Sequence, residues 1–391
     1  MRIFAQNAFV EGRFQPATIS IADGLISSIE LGRGIAKDLA SADLNFEDGF
    51  LVPGLIDLQL NGVAGVDFSS ADQSGIESAL AALPVTGTTS CCPTVITSEL
   101  DQIKNQLGVL NLLSSVSGSA RSLGVHLEGP VISPDKKGAH SEQHIISGTA
   151  FLASGLDLSL VKILTLAPEV QGAKELIAEA KKTRTIVSLG HSNATSAEAR
   201  QASQLGASMI THLFNAMRKI HQREPGIATS ALLDESLSFG LIVDGEHVDY
   251  ELVELALRLA GDRAFVVSDA SAALLAPEGQ KVKLGGTDLV ASKDGAAKRN
   301  DGTIASSGMS QLQAIENAVQ AGLSREKLIR SATIVPADLL GESKLGRLEV
   351  GALADIVHYQ VQNQPSSAQS FAHAASPVVD LVLIKGEKCP L

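Results

Sequence analysis

Cysteine is scarce in this chain: three residues in 391, two of them adjacent (Cys91, Cys92) and one near the C-terminus (Cys389). That leaves neither a disulfide framework nor a C-x-x-C metal spacing, so small buried thiols kept reduced are expected. No apolar run approaches the roughly 20 residues that span a bilayer. The N-terminal MRIFAQNAFVEGRF also lacks the basic-then-apolar layout of a signal peptide, so a cytoplasmic protein is expected. Positive charge is in deficit, with 31 Lys and Arg against 43 Asp and Glu and a net charge of −12. This argues against nucleic acid and anionic membranes as partners, and any anionic ligand would need a local basic patch.

What is plentiful is apolar sequence, 45% of the residues, enough for one large domain with a full core and a smaller one. Eight β-type runs recur, at Leu51–Leu58, Gly87–Pro93, Gly124–Glu128, Val161–Leu166, Thr185–Leu189, Ser208–His212, Phe239–Val243 and Ala264–Ser268. Helix-like stretches with apolar residues three and four apart lie between them, such as Gln73–Leu83, Gln171–Lys182, Ser196–Leu205 and Tyr250–Ala260. The alternation predicts an α/β fold of the (β/α)8 TIM-barrel type over residues 50–341. Residues 1–49 and 342–391 read instead as short antiparallel strands with turn signals, which predicts one small discontinuous β-sandwich built from both termini. SREKLIRSATIVPADLLG reads as a closing helical stretch interrupted at Pro336, and Gln362–Ser370 as a surface loop.

Barrel active sites sit where strand C-terminal ends meet their loops, and the unusual polar residues fall there. Asp57 and Gln59 follow the first run, Glu128 ends the third, and His191 follows the fifth. His212 and Asn215 follow the sixth, Asp244 and His247 the seventh, and Asp269 the eighth. Glu128, His191 and His212 make a set of one carboxylate and two imidazoles from three strands, which leaves a position open on a tetrahedral Zn²⁺ or similar ion. One such histidine alone is more often a satisfied core or capping residue, but three ligand-type residues at equivalent strand ends favour metal. Asp269 has no neighbouring Lys or Arg; it reads as a general base or, competing with that, as a cap for a following helix. The segment MRKIHQREP concentrates Arg218, Lys219, His221 and Arg223 after the His212 strand, and Lys136, Lys137 and His140 follow Glu128. Phosphate or carboxylate suits such a patch, because the planar fork of Arg donates two hydrogen bonds at once.

PGLIDLQLNG (Pro53–Gly62), HLEGP (His126–Pro130), KKGAH, LAPE (Leu166–Glu169), GHSNAT (Gly190–Thr195), THLFNAM (Thr211–Met217), REPG, DGEHVDY, SDA and LADIV occur in that order. Through them the chain resembles the N-acetylglucosamine-6-phosphate deacetylases of the amidohydrolase superfamily. The resemblance implies hydrolysis of the acetamide of N-acetyl-D-glucosamine 6-phosphate in amino-sugar catabolism, with one divalent metal ion per subunit, zinc foremost and iron or another ion as alternatives. It implies Glu128, His191 and His212 as metal ligands and Asp269 as the acid and base, with His140 assisting. It implies substrate contacts from Ala139, His140, Asn215, Ala216, Arg223 and His247, and from Ile304, Ala305 and Ser306 in DGTIASS. Arg223 would reach the sugar phosphate in the neighbouring subunit of a homodimer. Many superfamily members carry H-x-H after the first strand, where this chain has Gln59-Leu60-Asn61. Neutral amides are poor zinc ligands beside imidazole and carboxylate, so one tightly bound ion is expected, with Gln59 and Asn61 marking a vestigial second-metal region. Two alternatives stay open: the galactosamine epimer as substrate, and an inactive barrel serving as an interaction protein.

Overall fold

The computed structural model describes residues 1–32, 42–113, 116–292, 296–298, 304–363 and 375–391. The loop expected at Gln362–Ser370 lies outside them from residue 364 onward, as do the first three residues of DGTIASS. Eight strands form the barrel: β1 (Leu55–Leu60), β2 (Thr88–Ile96), β3 (Val125–Glu128), β4 (Val161–Leu166), β5 (Ile186–Leu189), β6 (Ala207–Ile210), β7 (Ser238–Leu241) and β8 (Ala264–Val266). Each pairs in parallel with the next in the chain. That order never reverses, as a doubly wound sheet would require. At the carboxyl rim the end of β8 returns to β1: the Asp269 N–H donates to the Gln59 carbonyl at 3.0 Å and the Asn61 N–H to the Ala270 carbonyl at 2.7 Å.

Burial on both faces explains why these strands read as unbroken apolar runs rather than alternating ones. All nine residues of β2 are buried; Cys91 packs in the layer under the helices, while Cys92 faces the barrel interior with Ile56, Ile163 and Phe265. All three cysteines are buried and free, as expected. The helix Tyr250–Ala260 buries Val253, Ala256, Leu257 and Ala260, a single apolar face at helical spacing. A capping box between Thr195 and Glu198 starts the helix Ser196–Leu205. Among the described residues no helix is long and apolar enough to cross a membrane.

Two sequence expectations are corrected. The run Leu51–Leu58 is two strands, because Phe50–Pro53 pairs with Arg2–Val10 and with Ile356–Asn363 in the terminal sheet before the chain enters β1. The crossing is at Gly54, where a Cβ would lie 2.1 Å from the Thr89 hydroxyl; both halves are buried, so hydropathy shows no break. In the closing stretch the helices Arg325–Ala332 and Ile334–Leu340 meet at Thr333, not at Pro336. Pro336 sits in the first turn of the second helix, where a missing N–H costs nothing.

The terminal strands join in one eight-stranded sheet around a small core that includes Ile3, Ile19, Leu51, Ile356 and Leu383. It is tied to the barrel by Glu316, fully buried on the helix Gln311–Gln320, which accepts from Arg325 at 2.8 and 2.6 Å and from the Tyr359 hydroxyl at 2.8 Å. A further antiparallel sheet, Lys281–Leu284, Thr287–Val290, Ala296–Lys298 and Ile304–Ser307, is inserted after β8. Its apolar face packs on Ile96, Ala272 and Ala273 beside the barrel mouth.

Candidate active site

The strand ends deliver the polar residues to one cavity of about 170 Å³. Glu128 is the last residue of β3, whereas His191, His212 and Asp269 lie just past β5, β6 and β8. These last three adopt left-handed backbone, with φ of 46°, 28° and 48°. That region is uncommon for residues with a Cβ, and backbone of this kind clusters where function fixes a side chain's aim.

The Oε1 of Glu128 lies 3.2 Å from Nε2 of both His191 and His212, and those two nitrogens are 3.1 Å apart. His191 donates from Nδ1 to the Lys136 carbonyl at 2.9 Å, which leaves the Nε2 lone pair facing Glu128. Three atoms able to donate lone pairs to a cation thus converge from three strands, so the residues present fit a divalent ion. The His140 ring is fixed through Nδ1 by the Thr97 hydroxyl at 2.7 Å, and its Nε2 lies 3.7 Å from the other Glu128 oxygen. Glu128, His140 and His191 also meet the spacing of a metal-ligating group, which makes His140 a third imidazole of the cluster rather than a remote loop residue.

Electrostatics follow from burial. Burial alone would raise the Glu128 carboxyl, but the three imidazoles of His140, His191 and His212 around it outweigh burial and hold the group well below the usual carboxylate range. Burial, then the charge of Glu128, pushes Asp269 up to about 6. Burial, then the neighbouring His191, pushes His140 down to about 4. Asp57 sits beneath the rim and accepts from the backbone N–H of Gln59 and Ser268; burial raises it to about 7.

The cavity wall also holds Ala139, Asn215, Ala216 and His247. The ring of His247 is fixed through Nδ1 by Asp244 at 2.8 Å, and Asp244 accepts two further backbone N–H groups. Asn61 lines the cavity, and Gln59 is buried between Glu128 and Asp269. Arg223 is not on the wall; it lies on an exposed loop. Of its basic neighbours, Arg218 donates to the Asn193 carbonyl and so ties two loops together. Ser306 is buried, with a hydroxyl that lacks a partner, and Ile304 and Ala305 lie on the same strand beside the Asp269 loop.

Sequence reasoning missed Leu284, which the inserted sheet brings to the cavity. Its signal was present: VKLGGTDLV alternates around Gly285-Gly286, a hairpin pattern. It also passed over His126, buried two residues before Glu128 and satisfied by the Leu58 carbonyl at 2.9 Å and Thr165 at 2.7 Å. From Thr165 a hydroxyl chain runs through Thr211 to Ser188 at 2.6 Å per step, bracing the strands that carry the ligand-type residues.

Comparison with known proteins agrees with this geometry. The amidohydrolase family model matches residues 50–389. An N-acetylglucosamine-6-phosphate deacetylase of Caenorhabditis elegans is 38% identical over 82% of this chain and 81% of its own, and that of Homo sapiens 37% identical over 78% of each. The solved structure of a mutant N-acetyl-D-glucosamine-6-phosphate deacetylase from Mycobacterium smegmatis, in complex with N-acetyl-D-glucosamine-6-phosphate, superposes with a TM-score of 0.85 at 28% identity, covering 99% of this chain and 98% of the other. With its barrel, its rim of Glu128, His191, His212 and Asp269, and these relatives, the chain belongs to the amidohydrolase family, among the N-acetylglucosamine-6-phosphate deacetylases.

Proposed function

We propose that this protein hydrolyses the acetamide of N-acetyl-D-glucosamine 6-phosphate to D-glucosamine 6-phosphate and acetate, in cytoplasmic amino-sugar catabolism. The observation that carries the reading is the convergence of Glu128, His191 and His212 with Asp269 in the same cavity. Glu128, His191 and His212 would hold one divalent ion, zinc foremost for a site of two imidazoles and a carboxylate. When bound, the ion supplies Lewis acidity to the water and the carbonyl.

The chain's own groups do the proton work. As the water oxygen bonds to the carbonyl carbon, Asp269 accepts a proton; as the C–N bond breaks, it returns that proton to the nitrogen, and acetate and the amine leave. A carboxyl raised to about 6 is suited to both halves of this exchange near neutral pH. His140, its ring set by Thr97, donates to the carbonyl oxygen as negative charge develops there. His247, oriented by Asp244, contacts the phosphosugar with Ala139, Asn215, Ala216 and the Ile304-Ala305-Ser306 segment. Arg223, exposed and away from its own cavity, serves the phosphate in the neighbouring subunit of a homodimer. Binding of that remote phosphate helps to fix the acetamide for attack.

The test is acetate release from N-acetylglucosamine 6-phosphate after dialysis against a chelator and resupply of single divalent ions. Release restored by an ion, with zinc among the most effective, is expected. No release with any ion, from protein shown to be folded, would remove this substrate.

A further inference from the structure

Gln59 lies on β1 just before its end at Leu60 and Asn61 directly follows that end, and both are about 2% exposed at the barrel mouth. The Gln59 amide nitrogen donates to Glu128 Oε1 at 2.9 Å and to Asp269 Oδ1 at 3.1 Å. The Asn61 amide nitrogen donates to the same Asp269 oxygen at 2.8 Å. Carboxylate oxygens only accept, so the nitrogen ends of both amides must face them. The Asn61 side-chain oxygen, Oδ1, is left buried without a partner. Amides turned this way present hydrogens where a second cation would need lone pairs, so the pair is not a set of spare ligands.

The same two residues also hold the Asp269 backbone. The Gln59 carbonyl accepts the Asp269 N–H, and the Asn61 N–H donates to the Ala270 carbonyl. Asp269 sits there at φ 48°, in a turn that these bonds stabilise. Two donors therefore meet on Oδ1, while no hydrogen bond from the described residues reaches Oδ2.

We infer that Gln59 and Asn61 are positioning residues for Asp269. They anchor Oδ1 so that Oδ2 faces the cavity as the oxygen that carries the proton. Gln59, with one amide hydrogen on each carboxylate, also keeps Glu128 and Asp269 side by side without a second cation. This rests on the deacetylase reading above. A displacement of about 1 Å in a reacting group costs on the order of 100-fold in rate, which sets the size of the expected effect.

The experiment uses the metal-loaded protein and N-acetylglucosamine 6-phosphate. Asn61→Ala should lower kcat about 10- to 100-fold, with KM and divalent-ion content per chain within about twofold of the unsubstituted protein. In an Asp269→Asn background the same change should alter the residual kcat by less than about twofold, since its target no longer transfers a proton. Calorimetric affinity of the Asp269→Asn protein for the phosphosugar should likewise be unmoved. Gln59→Leu, similar in volume but without amide hydrogens, is the second arm and should give the same pattern. An equal loss in both backgrounds, a loss confined to KM or affinity, or a fall in bound ion would overturn the inference. Failure of the unsubstituted holoenzyme to release acetate would instead sink the activity reading, before any variant is compared.

Discussion

Two buried glutamates in this molecule face opposite fates. Glu316, between the barrel and the terminal sheet, receives both arms of the Arg325 guanidinium and the Tyr359 hydroxyl. The guanidinium lies 4.1 Å over the Phe50 ring, so the cluster is closed by groups that do not titrate near neutrality. Glu128, at the barrel mouth, faces three imidazoles and an amide, with left-handed backbone at both ligand-type histidines. A fixed fork saturates the first carboxylate. The second has around it groups that share protons or a cation, in a cavity open to a small molecule. Burial of a carboxylate is thus no sign of function by itself; what completes its shell decides.

The largest effect that sharpens the contrast is expected at Asp269. Asp269→Asn should lower turnover by about 10³-fold or more while the midpoint of chemical denaturation stays close to that of the unsubstituted protein. Near-normal acetate release would remove Asp269 from the chemistry. Next is Asp57, a third buried carboxyl, raised to about 7 by burial. Because the folded state holds this proton more tightly than the unfolded chain, its stability contribution is complete below about pH 4 and is lost as pH rises to about 7. The loss is on the order of 4 kcal/mol over that window. Asp57→Asn should remove that part of the slope in denaturant titrations run across it; an unchanged slope would mean that Asp57 is charged when folded. Smaller again is Arg223→Ala, expected to cost about 10- to 100-fold in kcat/KM with the 6-phosphate substrate and much less with unphosphorylated N-acetylglucosamine. Equal losses on both would show that Arg223 does not read phosphate.

The mouth was far more legible in the sequence than the closed cluster. Each strand end announces itself, because an apolar run stops at Glu128, or just before His191, His212 and Asp269, and a barrel places all such stops on one rim. The helix Ser196–Leu205 was legible to the residue because its capping box is local. Glu316 and Tyr359 are 43 residues apart in the chain, and nothing local marks them as partners. The strand break at Gly54 was hidden because both sides of it are buried, and the start of the second closing helix was misplaced because a first-turn proline looks like a breaker. Gln59 and Asn61 were legible as a departure from H-x-H. Their orientation as donors was not, because it depends on Asp269, about 210 residues away.

The most direct test sets the two glutamates side by side, with Glu128→Gln and Glu316→Gln each measured for acetate release and for the denaturant midpoint. Glu128→Gln should abolish release and lower bound divalent ion while leaving the midpoint nearly unchanged. Glu316→Gln should retain release per folded molecule while losing on the order of 3 kcal/mol of stability, as expected when a buried ion pair loses one charge. Release retained in Glu128→Gln, or equal loss of stability in the two variants, would contradict the account.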